Sequence, residues 1–290
     1  ADDFIQWPEN GTPKLSVYVL QYGIQHFLRL YGVKKSRQRL LDIDFMAAVI
    51  EVWDDYFIPL QSWRALDIRN HHSEYINSLN KQRVETEDVH SLCLFLESSG
   101  FYTTAFQCSE WVLKNDHNPD IHKKLLHARL LTELDLWKEA LSFYQDLLDT
   151  TNETSTKEDL SYLFYHVSNV YRKLGQLDLA QEYMERDFKL SVEVWGEQSP
   201  ESMASLYNLA TFLRDQQQYE PAYQMLRKVG EYRESSLGNN HPMTLAVYNS
   251  LALIFKSQGE LQKAIDIYTD VHNTQLQLLG MNHPSTLTTY

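Results

Sequence analysis

The chain has 290 residues, 39 acidic and 26 basic, with 43% hydrophobic and 12% aromatic residues and a formal charge of −13. That composition is rich enough to bury a core and excludes a disordered chain, while the negative charge disfavours nucleic acid and anionic lipid as partners. No apolar run approaches the ~20 residues that span a bilayer, and two cysteines, Cys93 and Cys108, leave no disulfide framework or cysteine-based zinc site, which predicts a reduced, cytoplasmic setting.

Residues 1–83 read as a helical leader without repeats. Trp7-Pro-Glu-Asn-Gly-Thr-Pro13 holds several turn formers and is expected to be an exposed lead-in. Val17, Leu20, Ile24, Phe27, Leu28 and Tyr31 then fall at helical spacing, and a second helix is expected from Ser36 to Tyr56, ended by Pro59. Further helix is expected to Lys81, with a weak break at Asn70-His71-His72. Tyr22-Gly-Ile-Gln-His26-Phe-Leu and Arg39-Leu-Leu-Asp-Ile-Asp-Phe-Met46 resemble the helical segment that follows the winged-helix region in signal-transduction NTPases of the NACHT and NB-ARC type. That resemblance implies a connection between a nucleotide switch and a repeat array. The same helices read equally well as a cap on the apolar face of the first repeat. Ala1 is not an initiator and Tyr290 falls inside an expected helix, so the chain reads as a fragment of a larger protein.

From residue 84 onward a turn followed by a bulky residue and then alanine recurs. It stands as Gly100-Phe-Tyr-Thr-Thr-Ala105, Asp135-Leu-Trp-Lys-Glu-Ala140, Gly175-Gln-Leu-Asp-Leu-Ala180, Gln217-Gln-Tyr-Glu-Pro-Ala222 and Gly259-Glu-Leu-Gln-Lys-Ala264. Twelve residues before each alanine lies another small residue: Cys93, Ala128, Ser168, Ala210 and Ala252. Helices approach closely only where side chains are small, so each pair marks one helix-turn-helix unit. Near the end, Leu237-Gly-Asn-Asn-His-Pro-Met-Thr-Leu245 returns 42 residues later as Leu279-Gly-Met-Asn-His-Pro-Ser-Thr-Leu287, and Trp195-Gly196 with Ser199-Pro200 is a drifted copy. Proline suits a first helical turn, where its missing N–H has no acceptor to lose.

With these residues the chain resembles the tetratricopeptide repeat family, whose helical hairpins carry small residues at these places. The last three units resemble the 42-residue variety of kinesin light chains and nephrocystin-type proteins, whose signature is Leu-Gly-x-x-His-Pro. The resemblance implies an all-α, right-handed superhelix over residues 84–290, with about five hairpins and the start of a sixth helix pair.

Chemistry is sparsely signalled. No glycine-rich phosphate loop ending in Gly-Lys-Ser/Thr occurs, and Gly32-Val-Lys-Lys-Ser36 lacks its first glycine and spacing. His117, His122 and His127 recur every five residues, which a helix turns some 140° apart, so they cannot share one metal. His127 reads as a packed core histidine, and Cys93 and Cys108 as inert buried thiols. Asn10 and Asn152 begin glycosylation sequons that read as chance matches without a signal peptide. No catalytic residue, metal or cofactor is expected.

The resemblance implies that the first helix of each hairpin lines a concave groove. Residues four and then three apart share a helical face. The groove-facing triplets are then Leu125, Arg129 and Thr132; Tyr165, Asn169 and Arg172; Tyr207, Thr211 and Arg214; and Asn249, Leu253 and Lys256. His166, Asn208 and Ser250 fall at its margin. Arg172, Arg214 and Lys256 are one repeat apart and predict a row of cations suited to an acidic peptide or a C-terminal carboxylate. Pairing with Asp215, Glu133 or another acid is the alternative use of that row. Asn169, Asn208 and Asn249 can bond an extended backbone, and Tyr165, Tyr207, Thr211 and Arg129 complete the candidate peptide-binding set. The expected function is a non-enzymatic protein-interaction module, either the sensor or adaptor arm of a larger signal-transduction NTPase or a cargo adaptor or scaffold resembling kinesin light chain.

Overall fold

The computed structural model describes residues 43, 46, 74–79, 84–150 and 156–279, which form eleven helices and no strand. The leader's lead-in and first helix, its NTPase-like segment apart from Ile43 and Met46, both sequons, the Gly32–Ser36 segment and the second copy of the 42-residue echo beyond Leu279 lie outside the described residues. The chain divides into two compact units, Ala1–Asp149 and Thr150–Tyr290.

In the first unit the helices are α1 (Glu74–Leu79), α2 (Thr86–Ser98), α3 (Tyr102–Asn115), α4 (Ile121–Glu133) and α5 (Trp137–Thr150). α2 packs on α3 and α3 on α4, and α1 lies against α3. Ile43, Met46, Tyr75 and Leu79 from the leader join Leu92, Phe95, Leu96 and Val112 in one buried cluster. The described leader residues therefore supply part of the core beneath the first hairpin.

The second unit holds α6 (Lys157–Lys173), α7 (Leu177–Trp195), α8 (Pro200–Asp215), α9 (Tyr219–Leu237), α10 (Pro242–Ser257) and α11 (Leu261–Leu279). α6 pairs with α7, α8 with α9 and α10 with α11, while α7 packs on α8 and α9 on α10. The five alanines and the five small residues twelve positions before them are all buried, none above 3% exposure. The pairs α2–α3, α6–α7, α8–α9 and α10–α11 thus close where the side chain is smallest.

The five turns share one geometry. Gly100, Asp135, Gly175, Gln217 and Gly259 all have positive φ, between 60° and 83°. Around Gly175, the amide of Gln176 donates to Tyr171 O at 2.9 Å and that of Gly175 to Arg172 O at 3.1 Å. The same pair of bonds recurs at the other four turns, satisfying carbonyls that a helix end leaves orphaned. A Cβ built on Gly175 meets nothing within 4 Å, so the constraint there is backbone conformation rather than space.

Between hairpins the 42-residue period reappears in backbone angles. Gly196 and Gly238 both have φ 88° and ψ 161°, a region open essentially to glycine alone. Ser199 and His241 then cap α8 and α10 by accepting from Ser202 N and Met243 N, with proline in the first turn. Ser202 Oγ donates to Gly196 O at 2.7 Å, and Thr244 Oγ1 to Gly238 O at 2.9 Å. The drifted copy thus keeps the glycine conformation, while its cap differs, Ser199 at φ −108° against His241 at φ −68°. Elsewhere Thr156 and Asp159 form a reciprocal capping box for α6, and Asp120 caps α4.

Gln217 occupies a turn position that glycine holds at three of the five sites. Gln217→Gly is expected to stabilise the second unit by about 1 kcal/mol, and Gly238→Ala to destabilise it by about 1–3 kcal/mol, measured by chemical denaturation.

Candidate functional site

The ten predicted binding residues do not share one unit. Arg129 lies on α4 in the first unit, and the other nine lie on α6, α8 and α10 in the second. Arg129 is already engaged: Nε donates to Glu97 Oε1 at 3.0 Å and Nη2 pairs with Oε2, a bidentate bridge between α4 and α2. Its predicted groove neighbour Leu125 is buried in the core.

On α6, Tyr165 is exposed and meets the His166 ring edge-on at 5.1 Å between centroids. Asn169 turns back on its own helix, Nδ2 donating to Tyr165 O at 3.1 Å. On α8, Tyr207 acts as a strut. Its hydroxyl lies 3.2 Å from Ser250 Oγ on α10, and the Arg233 guanidinium of α9 covers its ring at 4.7 Å. Ser250, placed at the groove margin by the sequence, is buried and donates to Ala246 O at 3.0 Å. Thr211 Oγ1 donates to Asn208 O at 2.9 Å. On α10, Asn249 Oδ1 is buried with no hydrogen-bond donor among the described residues.

The three predicted cations keep their register but not a common state. The carbonyls of Arg172, Arg214 and Lys256 each accept the N–H of the positive-φ residue three positions on, at 2.9–3.2 Å, so each side chain stands at the same place in its last helical turn. Arg214 gives Nε and Nη2 to Asp215 Oδ1 at 3.0 and 2.7 Å and is only 17% exposed. Arg172 and Lys256 are exposed and have no ion-pair partner among the described residues. A cation in a last turn also answers the partial negative charge of the helix terminus, which is a structural reason for the row.

One feature went unread in the sequence. Tyr165 and Asn208 line a cleft of about 260 Å3 between α6, the end of α7 and the start of α8. Its lining includes Asp187, 4% exposed and bonded by Ser161 Oγ. Ser191 Oγ lies 3.1 Å from Ser161 Oγ and 3.0 Å from Ser205 Oγ, and Ser205 also bonds the carboxylate. Burial raises the Asp187 carboxyl above its ordinary value, against the lowering effect of the three hydroxyls. An acid within the apolar stripe of α7 was the available signal, but its serine partners come from α6, α7 and α8.

The histidines and cysteines sit as their spacing suggests. His127 stacks on Phe106 at 4.9 Å, tilts against Phe143 at 5.1 Å, and its Nδ1 lies 2.9 Å from Ser109 Oγ. Burial lowers its pKa to about 4. Cys93 and Cys108 are buried, and burial pushes the Cys93 thiol up, away from the reactive thiolate. No group of His, Cys, Asp and Glu among the described residues is arranged to hold a metal ion, and no described helix is long and apolar enough to cross a membrane.

Because His127 stays neutral when folded but takes a proton near pH 6.5 when unfolded, its stabilising contribution falls as pH drops from about 6.5 towards 4. The loss is expected to be on the order of 2 kcal/mol. Denaturant unfolding at pH 7 and pH 4.5 checks this, and His127→Leu is expected to flatten the difference. Ser109 keeps its bond to Phe106 O in that variant.

Comparison with known proteins bears on the same helices. The family described as tetratricopeptide repeat matches residues 161–190 and 201–277. No curated protein matches the chain. Among solved structures, the nearly identical TPR-like repeats of a putative kinesin light chain from Podosopora anserina are 19% identical with a TM-score of 0.56, covering 66% of this chain and 95% of that one. BtubC (BKLC) from P. vanneervenii is 19% identical with a TM-score of 0.53, covering 75% of this chain and 80% of that one. At such identity the likeness is one of fold. Residues 161–190 and 201–277 match the tetratricopeptide repeat, and the described residues share the helical fold of tetratricopeptide-repeat structures.

Proposed function

We propose that the second unit binds a protein segment along the first helices of its hairpins, α6, α8 and α10. A tetratricopeptide-repeat fold is a protein-interaction or scaffold module, and no reaction chemistry is needed for that use. The observation that carries the reading is the pair Arg172 and Lys256, in register, exposed, and without an ion-pair partner among the described residues. Such cations favour an acidic segment and draw it in from solution despite the overall charge of −13. Arg214 contributes less, since Asp215 already holds it.

Within this reading the chain serves as the sensor or adaptor arm of a larger signal-transduction NTPase. The leader's likeness to the segment that follows a winged helix supports that role. A cargo adaptor or scaffold is the second reading, favoured by the kinesin-light-chain-like structures of the same fold. Sequence upstream of Ala1 discriminates between them: a phosphate loop supports the first, and coiled-coil heptads the second.

A fluorescein-labelled hexaglutamate peptide tests the groove. The double variant Arg172→Glu/Lys256→Glu is expected to weaken binding tenfold or more with unchanged helicity by circular dichroism, whereas Arg214→Glu has the smaller effect. Equal binding by wild type and double variant rejects the assignment.

A further inference from the structure

The cleft between α6, α7 and α8 has a chemistry opposite to that of the cation row. Its lining includes the buried Asp187 carboxylate with its serine partners and exposed Glu201. Tyr162, Tyr165 and Trp195 supply its aromatic lining, and none of its lining residues is basic. Tyr162 is 58% exposed, so its ring remains available to a ligand. Asp187 has hydroxyl partners but no counter-charge among the described residues. A buried carboxylate in that state is costly, and a cation brought beside it offsets the cost. Aromatic rings add to the attraction for a cation and give none for an anion.

Size narrows the occupant further. About 260 Å3 falls below the roughly 300–1,000 Å3 of pockets that enclose free small-molecule ligands. It suits one side chain entering from a longer ligand. We propose that this cleft is a specificity pocket for the cationic side chain of a lysine or arginine in the bound segment.

The proposal rests on the peptide-binding reading for the segment that carries the cation, and it adds a requirement. Tyr165 and Arg172 stand seven residues apart on α6, roughly 10 Å along the axis at 1.5 Å per residue. An extended ligand covers that distance in about three residues. The preferred segment therefore carries a basic side chain and an acidic one about three residues apart, each facing its opposite charge.

The pocket is tested on the full chain by nuclear magnetic resonance, using capped Gly-Gly-Lys-Gly-Gly at millimolar concentration and the same peptide with norleucine in place of lysine. The lysine peptide is expected to shift the amides of residues 161–165 and 204–208, and the norleucine peptide to leave them in place. Tyr162→Ala and Glu201→Gln, both at exposed positions, are expected to weaken the lysine response at least fivefold. Equal shifts from both peptides, no shift from the lysine peptide, or a response unaltered in both variants overturns the proposal. Hexaglutamate binding and its loss in Arg172→Glu/Lys256→Glu report on the groove alone, so failure of the groove and failure of the pocket give different results.

Discussion

Close approach of helices at small side chains is the constraint on which the rest depends. Cys93 with Ala105, Ala128 with Ala140, Ser168 with Ala180, Ala210 with Ala222 and Ala252 with Ala264 are all buried. A larger side chain at any of them would push two helices apart, because packed interiors have little slack. The positive-φ turn between the members of each pair is the local half of the same constraint. It reverses the chain within a few residues and satisfies the carbonyls of the helix it ends, so that the second helix starts in register with the first. The positions of Arg172, Arg214 and Lys256 follow from this register, since each side chain is hung from a residue whose carbonyl takes part in the turn.

That dependence explains which features were legible beforehand. Small residues and turn formers act through local sterics, and steric rules leave a periodic mark on sequence. Even Asp135 and Gln217, which break the glycine pattern, were located by their distance from the alanines. Apolar residues before residue 84 also left a trace, since Ile43 and Met46 are buried in the cluster beneath the first hairpin. The partners of polar side chains left no such mark. Whether Arg214 reached Asp215 or solvent, and whether Asn169 pointed outward or back to Tyr165 O, depended on rotamers within one repeat. Arg129 joins α4 to α2 through Glu97, 32 residues away, and that spacing follows no repeat.

The candidate site was legible as a set of positions and not as a set of contacts. Tyr207 illustrates the difference. The resemblance implied that it faces a groove, yet its hydroxyl lies beside Ser250 of α10 and its ring is covered by Arg233. Asp187 illustrates the converse. An acid on the buried side of α7 has meaning only once Ser161 of α6 and Ser205 of α8 are brought to it, and the fold alone does that. Charge is consequently distributed by structure more finely than the total suggests: cations at the last turns of the first helices, an acidic and aromatic recess nearer their starts.

Gly196 and Gly238 share both backbone angles although the residues around them differ. At the glycine the two connections turn the chain alike, while the caps that follow differ, Ser199 at φ −108° and His241 at φ −68°. In the sequence, Leu237–Leu245 and Leu279–Leu287 carry that glycine at the same place of the repeat. One glycine conformation thus serves two connections with different capping residues, so the cap can vary from repeat to repeat while the residue before it stays confined to glycine.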